Sequence, residues 1–468
     1  MRGLAAVLFS LAISTSAFAA TKITIHNVDD ANVGLNDPTP ADPVGGNSGT
    51  TLGAQRMIAL QTAADIWSKL IESPIEIVID ARFRSLTPCD ATTGVLASAG
   101  PTHTVGDFPN APQQGVWYPI ALANRFAKQD LSPDPDISSQ FNVDVDNSTC
   151  LGTTSWYYGL DNKHGANIDL ITVALHEFAH GLGVSGSYNS RTGSLLQGKP
   201  NIFEIHTFDD TLGLRWDQMT DAQRLTSQTN DQNLVWDAER SRLRAAQLLG
   251  PTPFMRISGT DYRVGKASFG GSVTVAGFAG SIVAANDESN DGGPSTTDAC
   301  TAITNPAAVI GKIALVDRGT CPFVMKAKNL QAAGAIAAII VDNTVASSPN
   351  PLGGNDPTIT IPVISLTKAD GDSVRAQTAG GVFAFIAADP LRLSGADKGG
   401  QVKLYAPSTL AGGSSVHHWD TSAFPNLLME PNISGDLTHG VDITLDQLVD
   451  IGWAEPAAAG RTKLRRNQ

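Results

Sequence analysis

The stretch His176-Glu177-Phe178-Ala179-His180-Gly181-Leu182-Gly183 constrains this chain more than any other. It follows Ile168-Asp169-Leu170-Ile171-Thr172-Val173-Ala174-Leu175, a mostly apolar run with neither Gly nor Pro, so a helix can propagate through it. Residues four apart on a helix lie almost above one another, and His176 and His180 therefore share a face. Two neutral imidazoles so placed can hold one Zn²⁺ at about 2.0–2.1 Å each. Glu177, one position round, reaches a water beside the metal rather than the metal itself, where a carboxylate serves as a base. The alternative is a buried helix with two satisfied histidines and a salt-bridged glutamate. Gly181 and Gly183 favour the first reading, because they mark where the helix stops and the backbone can turn beneath a metal.

A catalytic zinc site needs a third protein ligand and an open fourth position. In the compact arrangement His-Glu-x-x-His-x-x-Gly-x-x-His the third histidine would stand at position 186, where this chain has Gly186. Close in sequence, Asn201-Ile202-Phe203-Glu204-Ile205-His206 offers Glu204 and His206. The segment looks too short and too β-branched to form the second helix from which a glutamate ligand would reach.

The first twenty residues combine Arg2, an apolar stretch from Leu4 to Ile13 and the small-residue end Ala17-Phe18-Ala19-Ala20. This is the pattern of a cleaved secretory signal, and no later apolar run approaches the ~18–20 residues of a membrane span. A secreted protein, extracellular or periplasmic, is expected. With 468 residues, two domains are the prior. A net charge of -13 argues against nucleic acid or an anionic membrane as partner. The basic end Arg461–Arg466 is expected to be a solvated tail.

Local patterns predict a helix over Ala54–Glu72, a strand over Ile75–Phe83, a short helix over Ile120–Lys128 and an edge strand over Ile137–Val145. Trp156-Tyr157-Tyr158 reads as core packing, and Asp217–Leu249 as largely helical with a turn at Trp236-Asp237. From Arg256 the composition shifts to short Ala/Val/Gly-rich strands, at Ser272–Val275, Ser281–Ala285, Ile310–Val316, Ala335–Val341, Thr360–Ile364 and Val382–Ile386, with a helix over Lys326–Ala333. Asp144–Asn147 is an acidic loop of the kind that can hold Ca²⁺.

The segment Gly311-Lys312-Ile313-Ala314-Leu315-Val316-Asp317-Arg318-Gly319-Thr320-Cys321-Pro322-Phe323, with Ala332-Ala333-Gly334-Ala335 and Ile361-Pro362-Val363-Ile364, resembles a protease-associated (PA) domain. Downstream come Ser415-Val416-His417-His418-Trp419-Asp420 and Asn426-Leu427-Leu428-Met429-Glu430-Pro431. With these, the whole chain resembles a secreted, PA-domain-containing zinc metallopeptidase related to the leishmanolysin-like metzincins. That resemblance implies an α+β, zincin-like catalytic domain, with the third histidine beyond an insertion and a Met-containing turn under the metal. By position, His418 matches the third ligand and Met429 the Met-turn. Neighbouring side chains rarely point at one metal, so His417 is expected to face solvent or stand behind the ligands. His439, in Thr438-His439-Gly440, resembles a serine-protease histidine, but no Gly-Thr-Ser-type nucleophile segment accompanies it.

The implied layout is a signal at 1–20, a catalytic domain at 21–255 and 394–468, and an inserted PA domain at 256–393. The four cysteines then pair within domains as Cys89–Cys150 and Cys300–Cys321. The function expected is a zinc-dependent endopeptidase acting on proteins or peptides, with Glu177 as general base. Its rival is a PA-type peptide-binding module on an inactive zincin scaffold. An aminopeptidase with a PA domain would need a two-metal, carboxylate-rich site, which the sequence does not display.

Overall fold

The computed structural model describes residues 21–456 apart from positions 92, 291, 292 and 347. The expected signal and the basic tail lie outside the described residues. Three parallel strands, Ile23–Asn27, Ile77–Arg84 and Ile137–Asn142, make the body of a four-stranded sheet, and Ala97–Pro101 closes one edge antiparallel. The expected edge strand at 137–145 is therefore internal: it pairs on both sides, and the exposed edge belongs to Ala97–Pro101.

Two helices pack on this sheet. Leu52–Leu70 starts where the Thr51 side chain accepts the Ala54 N–H, and it buries Ala59, Leu60, Ala63, Ala64 and Trp67, a stripe at helical spacing. Leu170–Leu182 is the site helix; Asp169 caps it by accepting the Thr172 N–H at 2.7 Å, and Gly183, at φ 131°, ends it. Two tryptophans fix its position. Trp67 Nε1 donates to the Leu175 carbonyl at 3.1 Å, and Trp453 Nε1 donates to the Leu182 carbonyl at 2.8 Å, satisfying an acceptor the helix end would otherwise leave open.

Trp453 belongs to the far end of the chain. Leu404, Val416, Trp419, Leu427, Leu428, Met429, Ile443 and Leu448 also pack into the core that holds Trp67 and Leu175. Residues 251–393 form a separate sheet of eight strands with a hydrophobic cluster of its own on each face. Its inner strands, Phe278–Ala284, Ile313–Asp317, Ala337–Val341 and Val363–Leu366, run parallel; helix Phe323–Ala332 joins the second to the third, and helix Lys368–Thr378 leads from the last to the antiparallel strand Val382–Leu393. The sheet opens with Pro251–Ile257, so this unit begins at Pro251 rather than Arg256. Its two ends meet, with Pro251 opposite Leu393 and the Ser394 N–H donating to the Gly250 carbonyl at 2.8 Å.

Other expectations shift with tertiary context. The stretch 217–249 is broken by the strand Leu234–Trp236, which buries both Leu234 and Trp236, so Trp236 is not in a turn. Residues 272–275 form no strand. Both disulfides, Cys89–Cys150 and Cys300–Cys321, are present. No described helix is long and apolar enough to cross a membrane.

Candidate metal centre

His176 and His180 project from the site helix, and His418 reaches them from the returning chain. Each ring spends Nδ1 on a backbone carbonyl: His176 on Leu428 at 2.7 Å, His180 on Val184 at 2.7 Å and His418 on Ser414 at 2.8 Å. A carbonyl only accepts, so each Nδ1 carries the proton and each Nε2 presents a bare lone pair. Those three Nε2 atoms converge. His176 Nε2 is 3.2 Å from its counterparts on both His180 and His418, and the three lie within 4.8 Å of one another.

Acceptors held this close repel unless a cation sits among them. Three nitrogens each about 2.0–2.1 Å from one tetrahedral ion would stand about 3.3–3.4 Å apart, so the donor set fits Zn²⁺. Burial, with the neighbouring His180, pushes the His176 imidazole down to about 3, and burial lowers His180 as well. Burial and the other two rings hold His418 well below its ordinary range. All three are thus kept neutral, the form that ligates. Among the described residues this is the one group of three or more such side chains able to hold a metal.

Glu177 lies beside them, 7% exposed. Burial pushes its carboxyl up to about 8, opposed by the backbone N–H of Ala99 on the edge strand, and its Oε2 is buried without a partner. The edge strand and the site helix thus wall a cleft of about 740 Å³ that contains Glu177 and all three histidines.

The returning chain supplies the floor. Met429 is fully buried, and its carbonyl accepts the Trp419 N–H at 2.7 Å, tying the turn to the residue after His418. The Leu428 carbonyl orients His176 while its N–H donates to Asp442 Oδ2 at 2.5 Å. Val416, a β-branched residue at φ 78°, precedes the histidine pair; such a conformation costs of order 1–3 kcal/mol and persists only where surroundings impose it.

His417 does not face solvent. Its ring packs against Phe203 and Tyr188, with centroids 5.4 and 5.9 Å away, and its buried Nε2 has no partner. It fills the space over Gly186, where an added Cβ would come within 2.5 Å of His417 Nε2 and 3.1 Å of Glu204 Oε1. The position left without a histidine is therefore occupied from the neighbouring segment. Gly186→Ala is expected to cost about 1–3 kcal/mol by overpacking, and His417→Ala in the same chain to recover part of it; thermal melts of the two variants check this.

The remaining candidates serve the protein. Ile202–His206 is a helix after all, and Glu204 builds it: one oxygen accepts the Asn201 N–H and the other the amides of Ser187 and Tyr188, all at 2.8 Å. His206 lies against Trp236 with Nδ1 toward the Asp237 carbonyl. His439 Nε2 contacts Asp169 Oδ1 at 3.1 Å, at the cap of the site helix. In the acidic loop, Asp146 is spent on Arg56, the Tyr158 hydroxyl and the Trp156 N–H. Sequence reasoning missed the edge strand and Glu430, which also lines the cleft. An acidic residue directly after the apolar run Leu427-Leu428-Met429 was the available signal.

Residues 278–374 match the PA domain family, and they fall inside the eight-stranded unit. The human ER degradation-enhancing alpha-mannosidase-like protein 3 is 35% identical over 139 residues, 28% of this chain and 14% of that protein. Aminopeptidase YwaD from Bacillus subtilis is 46% identical over 70 residues, 14% of this chain and 15% of its own length. The chain therefore spans 14–15% of the length of these curated relatives. Among solved structures, a zinc aminopeptidase from Bacillus subtilis aligns at 25% identity with a TM-score of 0.23, over 31% of this chain and 35% of that one.

Proposed function

We propose that the chain is an exported zinc endopeptidase whose catalytic part, residues 21–250 and 394–456, is zincin-like and of metzincin type, with the PA domain inserted between. The observation that carries this reading is the convergence of three unprotonated Nε2 atoms beside a buried carboxylate with one oxygen left without a partner, in an open-edged cleft. His176, His180 and His418 would hold the metal, which supplies Lewis acidity to the attacking water and the scissile carbonyl.

The chain's own groups do the rest. Glu177 takes a proton from the attacking water and returns it to the leaving amine, and a carboxyl already pushed upward by burial suits both halves of that transfer. Ala97–Pro101, paired on one side only, offers its other side to an extended peptide, whose backbone adds as a further strand. The Nδ1 bonds hold each imidazole in the ligating tautomer, and the Met429 turn keeps His176 aimed.

Two features favour this reading over its rivals. The relatives carry differing named activities and match over stretches no longer than the inserted unit, so these matches do not themselves assign the chemistry. An aminopeptidase with a two-metal carboxylate site has no counterpart among the described residues, where the metal-capable group is three histidines. The binding-module alternative predicts no turnover. The purified chain is expected to hydrolyse casein, to lose that activity to background with a chelator and to regain it with Zn²⁺; binding without hydrolysis at any zinc level would favour the inactive scaffold.

A further inference from the structure

The stretch from His418 to Met429 contains neither helix nor strand, so no repeating ladder of its own sets its course. It is tied down from outside. Within the catalytic part, the His418 carbonyl accepts the Tyr405 N–H at 2.8 Å, and the Asp420 N–H donates to the Lys403 carbonyl at 2.9 Å. Other ties lead to the inserted unit. The Phe424 carbonyl accepts at 2.7 Å the N–H of Gly250, the residue before the unit's first strand. From the strand Gly265–Lys266, the Lys266 ammonium lies 3.6 Å from the centroid of the Phe424 ring. The same ammonium donates to Ser394 Oγ at 3.1 Å, where the chain leaves the unit. A second arm runs through Asp231, whose Oδ2 accepts the Ser348 hydroxyl at 2.8 Å and lies 3.7 Å from Arg263 Nη1, both groups of the inserted unit. The next residue, Gln232, donates to Asp420 Oδ1 at 3.0 Å. The unit thus reaches the third-ligand stretch at Asp420 and at Phe424.

Lys266 is the unusual member of this seam. It touches a hydroxyl, a more distant carbonyl and an aromatic face, and no carboxylate pairs with it among the described residues. A half-buried ammonium gives up hydration without regaining an ion pair, so an apolar residue would fill this place at less cost if filling were its whole task. Over the face of a ring shielded from water, however, the charge is drawn to the ring's quadrupole and holds the ring in register. We propose that Lys266 is a positioning residue for the third ligand, gripping Phe424 so that the inserted unit braces the segment from which His418 reaches the metal. This rests on His418 being a metal ligand, as proposed above. His176 and His180 are set in advance by their helix, whereas His418 arrives on irregular chain. Ordering that chain costs conformational entropy, and a brace removes the cost before the ion binds.

The test uses the full chain and three variants, Lys266→Met, Lys266→Arg and Phe424→Leu. Methionine keeps the length of the stem without the charge, and arginine keeps a cation that stacks on an aromatic face. In competition with a chromophoric chelator, zinc affinity is expected to fall about 2–30-fold in Lys266→Met and in Phe424→Leu, and to return to within about twofold of wild type in Lys266→Arg. Combining Lys266→Met with Phe424→Leu should weaken zinc no further than either change alone, since both remove the same contact. Amide hydrogen exchange on the metal-free chain reads the coupling without zinc: residues 418–429 are expected to lose protection in Lys266→Met while the strand Ile137–Asn142 keeps its own. Unchanged zinc affinity or unchanged exchange in Lys266→Met overturns the proposal. A loss spread evenly over the chain, or one that arginine does not restore, also overturns it and makes Lys266 ordinary packing. If the wild type holds no zinc, the metal-centre reading has failed, and the exchange comparison still decides whether Lys266 sets the His418 segment.

Discussion

Glu177→Gln is expected to lower peptide hydrolysis by about 10²–10⁴-fold while the zinc content of the purified chain stays unchanged. The amide has nearly the shape of the carboxyl, so the helix and its packing survive, but it can neither take a proton from water nor pass one to an amine. The three histidines are untouched and keep their carbonyl partners. Elemental analysis beside a casein assay separates the outcomes. Activity within a few-fold of wild type would assign the base elsewhere, and loss of zinc would make Glu177 a structural part of the metal centre.

His418→Ala should do the reverse, removing the metal first and the activity as a consequence. Two imidazoles on one helix remain, and a two-nitrogen site holds zinc far less tightly; a loss of at least about 100-fold in affinity is expected, because the loss of an outer-shell partner alone costs 10–100-fold. The readout is zinc retained after dialysis, with competition against a chromophoric chelator for the affinity. His417 does not substitute, since its ring is wedged between Phe203 and Tyr188 over Gly186. Unchanged stoichiometry would remove His418 from the ligand set. The single change Glu204→Ala provides a contrast: Glu204 holds three amides, so its loss should lower stability without the same direct loss of a ligand.

What the sequence made legible follows from how local each signal is. The site helix and its histidine pair were readable because a period of 3.6 needs only neighbours, and the structure sets both rings on one face. His418 lies 242 residues from His176, so no spacing rule reaches it, and only a resemblance to a family pointed there. The edge strand was misplaced for a physical reason. Ile137–Asn142 sets Ile137 and Phe141 two turns of the pleat apart, both buried on one face between two strands, whereas Ala97-Ser98-Ala99-Gly100-Pro101 has no β-branched or aromatic residue. An edge needs little propensity of its own and tolerates proline. Glu204 misled for the converse reason: five residues rich in isoleucine look extended, and the capping box that makes them helical is closed by Glu204 itself.

The two ends of the eight-stranded unit meet, and the histidine cluster straddles that unit in chain order. The ribosome delivers the histidine pair early, then the whole eight-stranded unit, and only afterwards the segment that holds the third imidazole and the tryptophan gripping the helix end. A nascent chain therefore carries an incomplete cluster until His418 and the segment around it have been made. Delay is built into the order of the text, because the donor set cannot close before its last member is translated.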